Sequence, residues 1–276
     1  MSGSWQWIVD GADLKVGVTT SRRECTTSTV VIAGGSAVLV DPAWDPDELG
    51  GIAADLEAAG VQVAAGFATH AHHDHVLWHP GLGNAPRWAS ALVTRTAAEQ
   101  RVQLLAELGP DWPTDLAALV GRLSPLAEPV LNWSTAAAEV VPVTHHAHAP
   151  GHTALWLPGA RVLIAGDMLS DVELPLLEQS TLADYSAGLA LLRPYVDQSL
   201  AIIPGHGSPA FGAAAADRWA ADQRYLDGLH SPATPDDRLA LPGMAEAHQA
   251  NCDQAARSTS RPRRSRRAPS STEVRS

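Results

Sequence analysis

Thr69-His70-Ala71-His72-His73-Asp74-His75 is the stretch on which this sequence turns. The apolar run Val61–Thr69 leads straight into it and reads as a strand. In extended chain, residues i and i+2 share a face, so the end of such a strand can turn His70 and His72 to the same side. Two imidazoles placed together bind a divalent metal, and imidazole favours zinc, iron or copper over calcium. Asp74 and His75, one turn further on, can serve a second metal close by. A catalytic ion needs about three protein ligands and an open position, so further ligands have to come from elsewhere in the chain.

They are available after other apolar runs. His152 stands in Ala149-Pro150-Gly151-His152-Thr153, Asp167 follows Val162-Leu163-Ile164-Ala165-Gly166, and His206 follows Ile202-Ile203-Pro204-Gly205. Each is preceded by glycine at the end of a strand-like segment, which is what a metal site built on strand ends requires. His73, His79, His145, His146, His230 and His248 read as ordinary surface or core residues. His148, four residues before His152, is placed to hydrogen-bond a ligand imidazole.

Around these residues the elements alternate. Trp7–Val9, Lys15–Val18, Thr29–Ala33 and Ala37–Val40 read as strands, with Gly34-Gly35 as a hairpin turn. A helix begins at Asp45-Pro46-Asp47-Glu48, buries Ile52, Ala53, Leu56 and Ala59, and ends at Gly60. Helical patterns occupy Thr94–Leu123, broken at Gly109-Pro110. Strands return at Val140–Val143, Ala154–Leu157, Arg161–Ala165 and Leu200–Ile203, and helices at Tyr185–Leu192 and Ala213–Leu229. The expected class is α/β (α+β). Residues 1–230 are expected to form one domain and 231–276 a low-complexity extension, mostly disordered, with room for one weak helix.

The chain has 276 residues and a formal charge of −11. Seven arginines and one glutamate between Arg257 and Ser276 make that stretch +6 and leave −17 on the rest. So acidic a body repels phosphate backbones and disfavours a nucleic-acid substrate, leaving weak anionic contact to the Arg tail. Two cysteines, Cys25 and Cys252, make no disulfide framework. With no basic-then-apolar leader and no 18-residue apolar run, the sequence predicts a cytoplasmic protein with no membrane span and a small-molecule substrate.

The order of these motifs, with Asp41 after the strand Val38–Val40, resembles the metallo-β-lactamase superfamily over about residues 15–230. The resemblance implies an αββα sandwich. By position it implies His70, His72 and His152 on a first metal, Asp74, His75 and His206 on a second, and Asp167 bridging them. Asp41 would orient a ligand imidazole. Aspartate rather than cysteine or serine at the bridging position is similar to glyoxalase II-like thioesterases, lactonases and phosphodiesterases, not to the antibiotic-cleaving members. The implied activity is a binuclear hydrolase with two Zn2+ per chain, using a metal-bridging hydroxide on an ester, lactone or thioester, with Asp74 as the catalytic proton acceptor. The alternatives are a mononuclear Fe2+ enzyme resembling persulfide dioxygenases and a metal-dependent phosphodiesterase. Beyond His206 there is one helix, with Arg218 and Arg224, instead of the basic helical extension that binds glutathione thioesters. Val76, Leu77 and Trp78, with Trp44, Trp88 and Trp112, read either as the lining of an apolar pocket or as core.

Overall fold

The computed structural model describes residues 5–126, 139–229 and 236–260. Alternating β-branched residues build the first sheet. β1 (Gln6–Asp10), β2 (Leu14–Thr20), β3 (Thr27–Ala33) and β4 (Ser36–Val40) form an antiparallel meander. Gly34 and Gly35 join the last two at φ of 58° and 77°, a region glycine enters without a Cβ penalty. α1 (Pro46–Ala58) then carries the chain back so that β5 (Gln62–Phe67) lies parallel to β4. Its start follows the sequence signals: Pro46 opens it, Asp47 and Glu48 sit in the first turn, and the Glu48 carboxylate accepts the Asp45 N–H at 3.2 Å. β6 (Arg87–Ala89) and β7 (Ser124–Pro125) extend the sheet in parallel, with α2 (Ala91–Glu99), α3 (Arg101–Leu108) and α4 (Thr114–Ala117) between them.

The second sheet contains β8 (Val141–Thr144), β9 (Thr153–Leu157), β10 (Val162–Gly166), β11 (Ala201–Pro204) and β12 (Ala210–Phe211), in the order β12-β11-β10-β9-β8. β10 and β11 are parallel and joined through α5 (Leu182–Gln198); the other pairs are antiparallel. α5 outruns the helix the sequence predicts to Leu192. It passes through Pro194 to Gln198 because Leu189, Leu192 and Val196 keep one face buried across the proline.

The period of two decides the layering. Val31, Val38 and Val40 of the first sheet face Leu155, Leu157, Val162 and Ile164 of the second, and this is the inner core. Their neighbours Val30, Ala37 and Leu39 turn the other way, onto Ile52 and Leu56 of α1. Leu163 and Ile202 turn outward onto Tyr185 and Leu189 of α5 and Tyr225 of α6 (Ala213–Gly228). The result is the helix–sheet–sheet–helix sandwich that the sequence leads one to expect. No helix among the described residues is long and apolar enough to cross a membrane.

Residues 236–260, inside the extension expected from residue 231, hold a short turn and one helix. Asp237–Ala240 form a short 3-10 turn, and α7 (Met244–Ser260) packs back on the body. Asn251 accepts the Leu177 N–H at 2.9 Å and donates to the Pro175 carbonyl at 2.6 Å. Arg238 is buried and donates to Asp222 at 2.7 Å, to Asp236, and to the carbonyls of Ser170 and Glu173 at 3.0 and 2.7 Å. The Arg-rich stretch 261–276 lies outside the described residues. Burial pushes the Asp222 carboxyl up to about 6 even with this guanidinium beside it. Arg238→Ala therefore leaves a buried, unpaired acid and should cost about 3–5 kcal/mol in chemical denaturation. The Arg238→Met, Asp222→Leu double variant should regain most of that loss, and a single variant as stable as the parent would contradict the account.

Candidate metal centre

The loops that leave the strands at one end of the sandwich converge on a single buried cluster. From the first sheet, the segment after β5 supplies His70, His72, Asp74 and His75. From the second, His148 precedes β9, Asp167 follows β10, and His206 follows β11.

Three groups of ligand atoms form, the third joining Asp167 and His206 to Glu173. In the first, His72 Nδ1 lies 2.9 Å from His70 Nε2 and 3.1 Å from His148 Nε2, and both of those nitrogens are 3.2 Å from Asp167 Oδ2. In the second, His75 Nε2 lies 3.2 Å from His206 Nε2 and 3.2 Å from Asp74 Oδ2, with His206 Nε2 to Asp74 Oδ2 at 3.4 Å. Asp167 belongs to both: Oδ1 is 3.2 Å from His75 Nε2, and Oδ2 is 3.3 Å from His206 Nε2.

The outer nitrogens fix which atoms face inward. His206 Nδ1 donates to the Glu24 carbonyl at 2.9 Å, and His75 Nδ1 donates to Asp41 Oδ2 at 3.0 Å. His70 Nδ1 sits 3.0 Å from Thr69 Oγ1, whose own proton goes to Asp41 Oδ2 at 2.7 Å. With those protons pointing outward, the Nε2 atoms of His70, His75 and His206 aim lone pairs at one another and at carboxylate oxygens. Asp167 Oδ1 is buried without a hydrogen bond. Converging lone pairs and an orphaned carboxylate oxygen are repulsive unless a cation lies among them, so the donor set fits divalent metal.

Without a metal, the same acids draw protons onto the histidines instead. Burial would lower His75 and His206, but Asp167 and other nearby acids outweigh it and hold both well above the ordinary histidine value. Burial would likewise raise Asp74 and Asp167, but His75 outweighs it and keeps both well below the carboxylate range. His70 is pushed down to about 4, and His72 well below normal, by burial.

His152, expected on the first metal, lies beside the cluster, and its Nδ1 is buried without a hydrogen bond. His152 Nε2 accepts the Asp167 backbone N–H at 3.1 Å, and its ring stacks on His145 at 4.7 Å, so neither nitrogen joins a ligand group. His148, expected as a supporting residue, stands in the first group instead. The loop that carries both histidines has positive φ at His148 (63°) and at Gly151 (78°). Gly166 and Gly205 matter for the same packing, since a Cβ at either would strike the His152 ring or the Asp167 carboxylate.

Asp41 takes the expected orienting role, accepting from the Thr69 N–H at 2.8 Å as well as from Thr69 Oγ1 and His75. Asp41→Asn should weaken metal affinity about 10–100-fold while the chain stays folded. Competition with a chelating dye measures it; unchanged affinity would remove Asp41 from the site. Thr26 escaped the sequence reading. Its Oγ1 donates to Asp74 Oδ2 at 3.0 Å from the loop between β2 and β3, a contact 48 residues apart that no local motif signals.

A cleft of about 260 Å³ opens onto the cluster. α3 forms one wall through Gln103, Leu104 and Glu107, and the 173–179 segment forms another. The tryptophans resolve as core: Trp44 and Trp78 are 2% and 3% exposed, Trp88 and Trp112 pack against core clusters, and none lines this cleft.

Residues 22–220 match the family model of the metallo-β-lactamase superfamily, and the chain belongs to that superfamily. No curated protein matches it. Among solved structures, the metallo-β-lactamase from Pontibacter korlensis is similar at 14% identity and TM-score 0.58, over 80% of this chain and 99% of that one. VMB-1 at pH 5.5 (17%, TM-score 0.57) and the DIM-1 metallo-β-lactamase (17%, 0.56) each match over 80% of this chain and 97% of theirs. At these identities the likeness is one of fold.

Proposed function

We propose that this chain is a binuclear zinc hydrolase acting on a small ester, lactone or thioester. The observation that carries the reading is the Asp167 carboxylate shared between two complete groups of inward-facing ligand atoms. His70 Nε2, His72 Nδ1 and His148 Nε2 would hold one ion and Asp74, His75 and His206 the other, with Asp167 between them. Such ions supply Lewis acidity and bring the pKa of water from 15.7 down towards about 7.

Around that chemistry the chain's own groups have distinct tasks. Asp41, Thr69 and the Glu24 carbonyl hold the imidazoles in one tautomer. Asp74 commits Oδ2 to the second group and leaves Oδ1 to accept the proton of the attacking water. His73 Nδ1, 4.0 Å from that oxygen and 3.5 Å from Glu107 Oε2, offers the proton a way towards the cleft mouth. The carbonyl carbon gains the water oxygen, the acyl–heteroatom bond breaks, and the leaving group takes up a proton. Aspartate at the shared position supports assignment to the thioesterase and lactonase side of the superfamily. Among the described residues no lysine or arginine lines the cleft, which does not favour an anionic glutathione thioester.

Metal analysis of protein expressed without supplementation, followed by a panel of esters, lactones and thioesters, tests the proposal. Two zincs per chain and zinc-dependent turnover support it. One iron per chain, with oxygen uptake on a persulfide, would replace it by a dioxygenase; absence of metal would overturn the ligand assignment.

A further inference from the structure

Glu173 is held against the second ligand group by its backbone. Ser170 Oγ donates to the His206 carbonyl at 2.8 Å and accepts the N–H groups of Val172 and Glu173, each at 3.0 Å. The Glu173 carbonyl accepts from Arg238 Nη1 at 2.7 Å. One hydroxyl thus ties the residue that carries the acid to a residue that carries a ligand nitrogen, and a buried guanidinium fixes the chain on the other side. The side chain lands with Oε1 3.9 Å from His206 Nδ1, and one of its oxygens joins atoms of Asp167 and His206 within 4.8 Å of one another. Among the described residues, His206 is the one charged partner that this carboxylate meets.

Two further observations point to a cation at this spot. Asp167 Oδ1, in a side chain only 3% exposed, has no hydrogen bond. His206 Nδ1 gives its proton to the Glu24 carbonyl, so the lone pair of the ring is on Nε2, the atom that faces Asp74 Oδ2 and Asp167 Oδ2 at 3.4 and 3.3 Å. One lone pair serves one ion. The ion that Asp167, Glu173 and His206 can share is therefore the one that Asp74 and His75 also face. Three carboxylates and two imidazoles surround it, and among the described residues no lysine or arginine lines the cleft to balance them. Arg238 is committed to Asp222 and Asp236. Buried charges are paired or coordinate metals, and a divalent cation supplies the missing positive charge here.

We propose that Glu173 is a fifth ligand of the second ion, and that this position accepts a harder divalent cation such as Mn2+ as well as Zn2+. The proposal rests on the two-ion reading and adds a ligand that the family motifs do not supply. The two positions then differ in chemistry. His70, His72 and His148 with one Asp167 oxygen make an imidazole-rich site, which suits zinc. Carboxylate oxygens suit manganese, and five ligands meet its preference for higher coordination. Zinc remains the tighter ion at either position by the Irving–Williams order, so the two-zinc form stands. Manganese depends more on the oxygen donors and is the ion that reveals Glu173.

The test uses the full chain as parent, E173Q and E178Q, each stripped of metal, reloaded with one Zn2+, and then titrated with Mn2+ or further Zn2+. Glu178 lines the same cleft and belongs to none of the ligand groups, so E178Q removes an equal charge without removing a ligand. E173Q keeps the backbone contacts to Ser170 and Arg238. In E173Q the second ion should bind at least about tenfold more weakly, Mn2+ losing more than Zn2+, with the first zinc and the circular dichroism spectrum unchanged. E178Q should bind both ions as the parent does. Visible absorption of Co2+ at the second position, which strengthens as coordination number falls, should rise in E173Q. Equal weakening in both variants would reduce Glu173 to a charge acting through space and overturn the proposal, as would an unchanged second ion in E173Q. Loss of the first zinc together with the second would overturn the assignment to one position. In each of these cases the parent still holds two ions and the hydrolase reading stands. A parent that takes up fewer than two ions overturns that reading, and the fifth ligand with it.

Discussion

Asp167→Ala is expected to empty both metal positions together and to lower kcat/KM at least about a thousandfold, with the circular dichroism spectrum unchanged. Asp167 is the one side chain that reaches both ligand groups, with Oδ2 towards His70, His148 and His206 and Oδ1 towards His75. Its loss leaves three histidines on one side, and Asp74 with two histidines on the other, facing each other without the anion between them. Metal stabilisation of developing charge in hydrolysis is worth several kcal/mol, and each 1.36 kcal/mol is a factor of ten in rate. Metal content and kinetics on the same preparation decide the matter. Turnover within tenfold of the parent would exclude Asp167 from the centre.

Removing metal should have the second large effect, on stability. The ligands come from both sheets, so bound metal ties the segment 70–75 to His148, Asp167 and His206. At about a thousandfold excess over Kd, one ion stabilises the folded state by about 4 kcal/mol, which for a domain of this size is a rise in melting temperature of about 10 °C. Chelated protein should therefore melt about 10 °C or more below zinc-loaded protein at pH 7.5, and added zinc should restore it.

The gap should close as pH falls towards 5, because the ligands must be neutral imidazoles and ionised carboxylates, and protons compete with metal below about 6.5. In the chelated form the groups oppose one another. His75 and His206, raised by their acidic neighbours, contribute stability that is complete below about 6.5 and is lost as pH rises through their folded values. His70, lowered to about 4, and His72 cost stability as pH falls below about 6.5. Asp74 and Asp167 contribute above about 3.9 and lose it as pH falls through their lowered values. A melting gap of equal size at pH 5 and pH 7.5 would contradict the assignment of these residues as ligands.

Much of this architecture is legible in the sequence because its signals are local. The period of two in Thr29–Ala33 and Ala37–Val40, the paired glycines between them and the Asp45-Pro46 start of α1 each depend on adjacent residues, and all sit within two residues of where the sequence places them. The ligand-bearing strand ends are legible for the same reason. What was not legible depends on backbone dihedrals and long-range contacts. His148 and His152 are both histidines at a loop end, and their spacing alone does not say which ring stands among the other ligand atoms. α7 docks through Asn251, Ala255, Met244 and Cys252, a mixed set that leaves little apolar stripe to read. The acidic lining of the cleft joins residues 24, 107, 173 and 178, and no spacing in the chain reveals that they meet.

The Arg238 guanidinium carries one more implication, for the order in which the molecule is completed. It lies beyond the span that matches the family, yet it holds the carbonyls of Ser170 and Glu173, and Glu173 stands in the wall of the cleft. A chain emerging from the ribosome folds from its N-terminus, and both sheets are in hand once β12 has appeared. Residue 238, about 27 residues past β12, is needed before Asp222 of α6 gains its guanidinium partner and the 170–173 loop is pinned. A polypeptide that stops before residue 238 thus holds the strands of both sheets but lacks the guanidinium that pins the 170–173 loop.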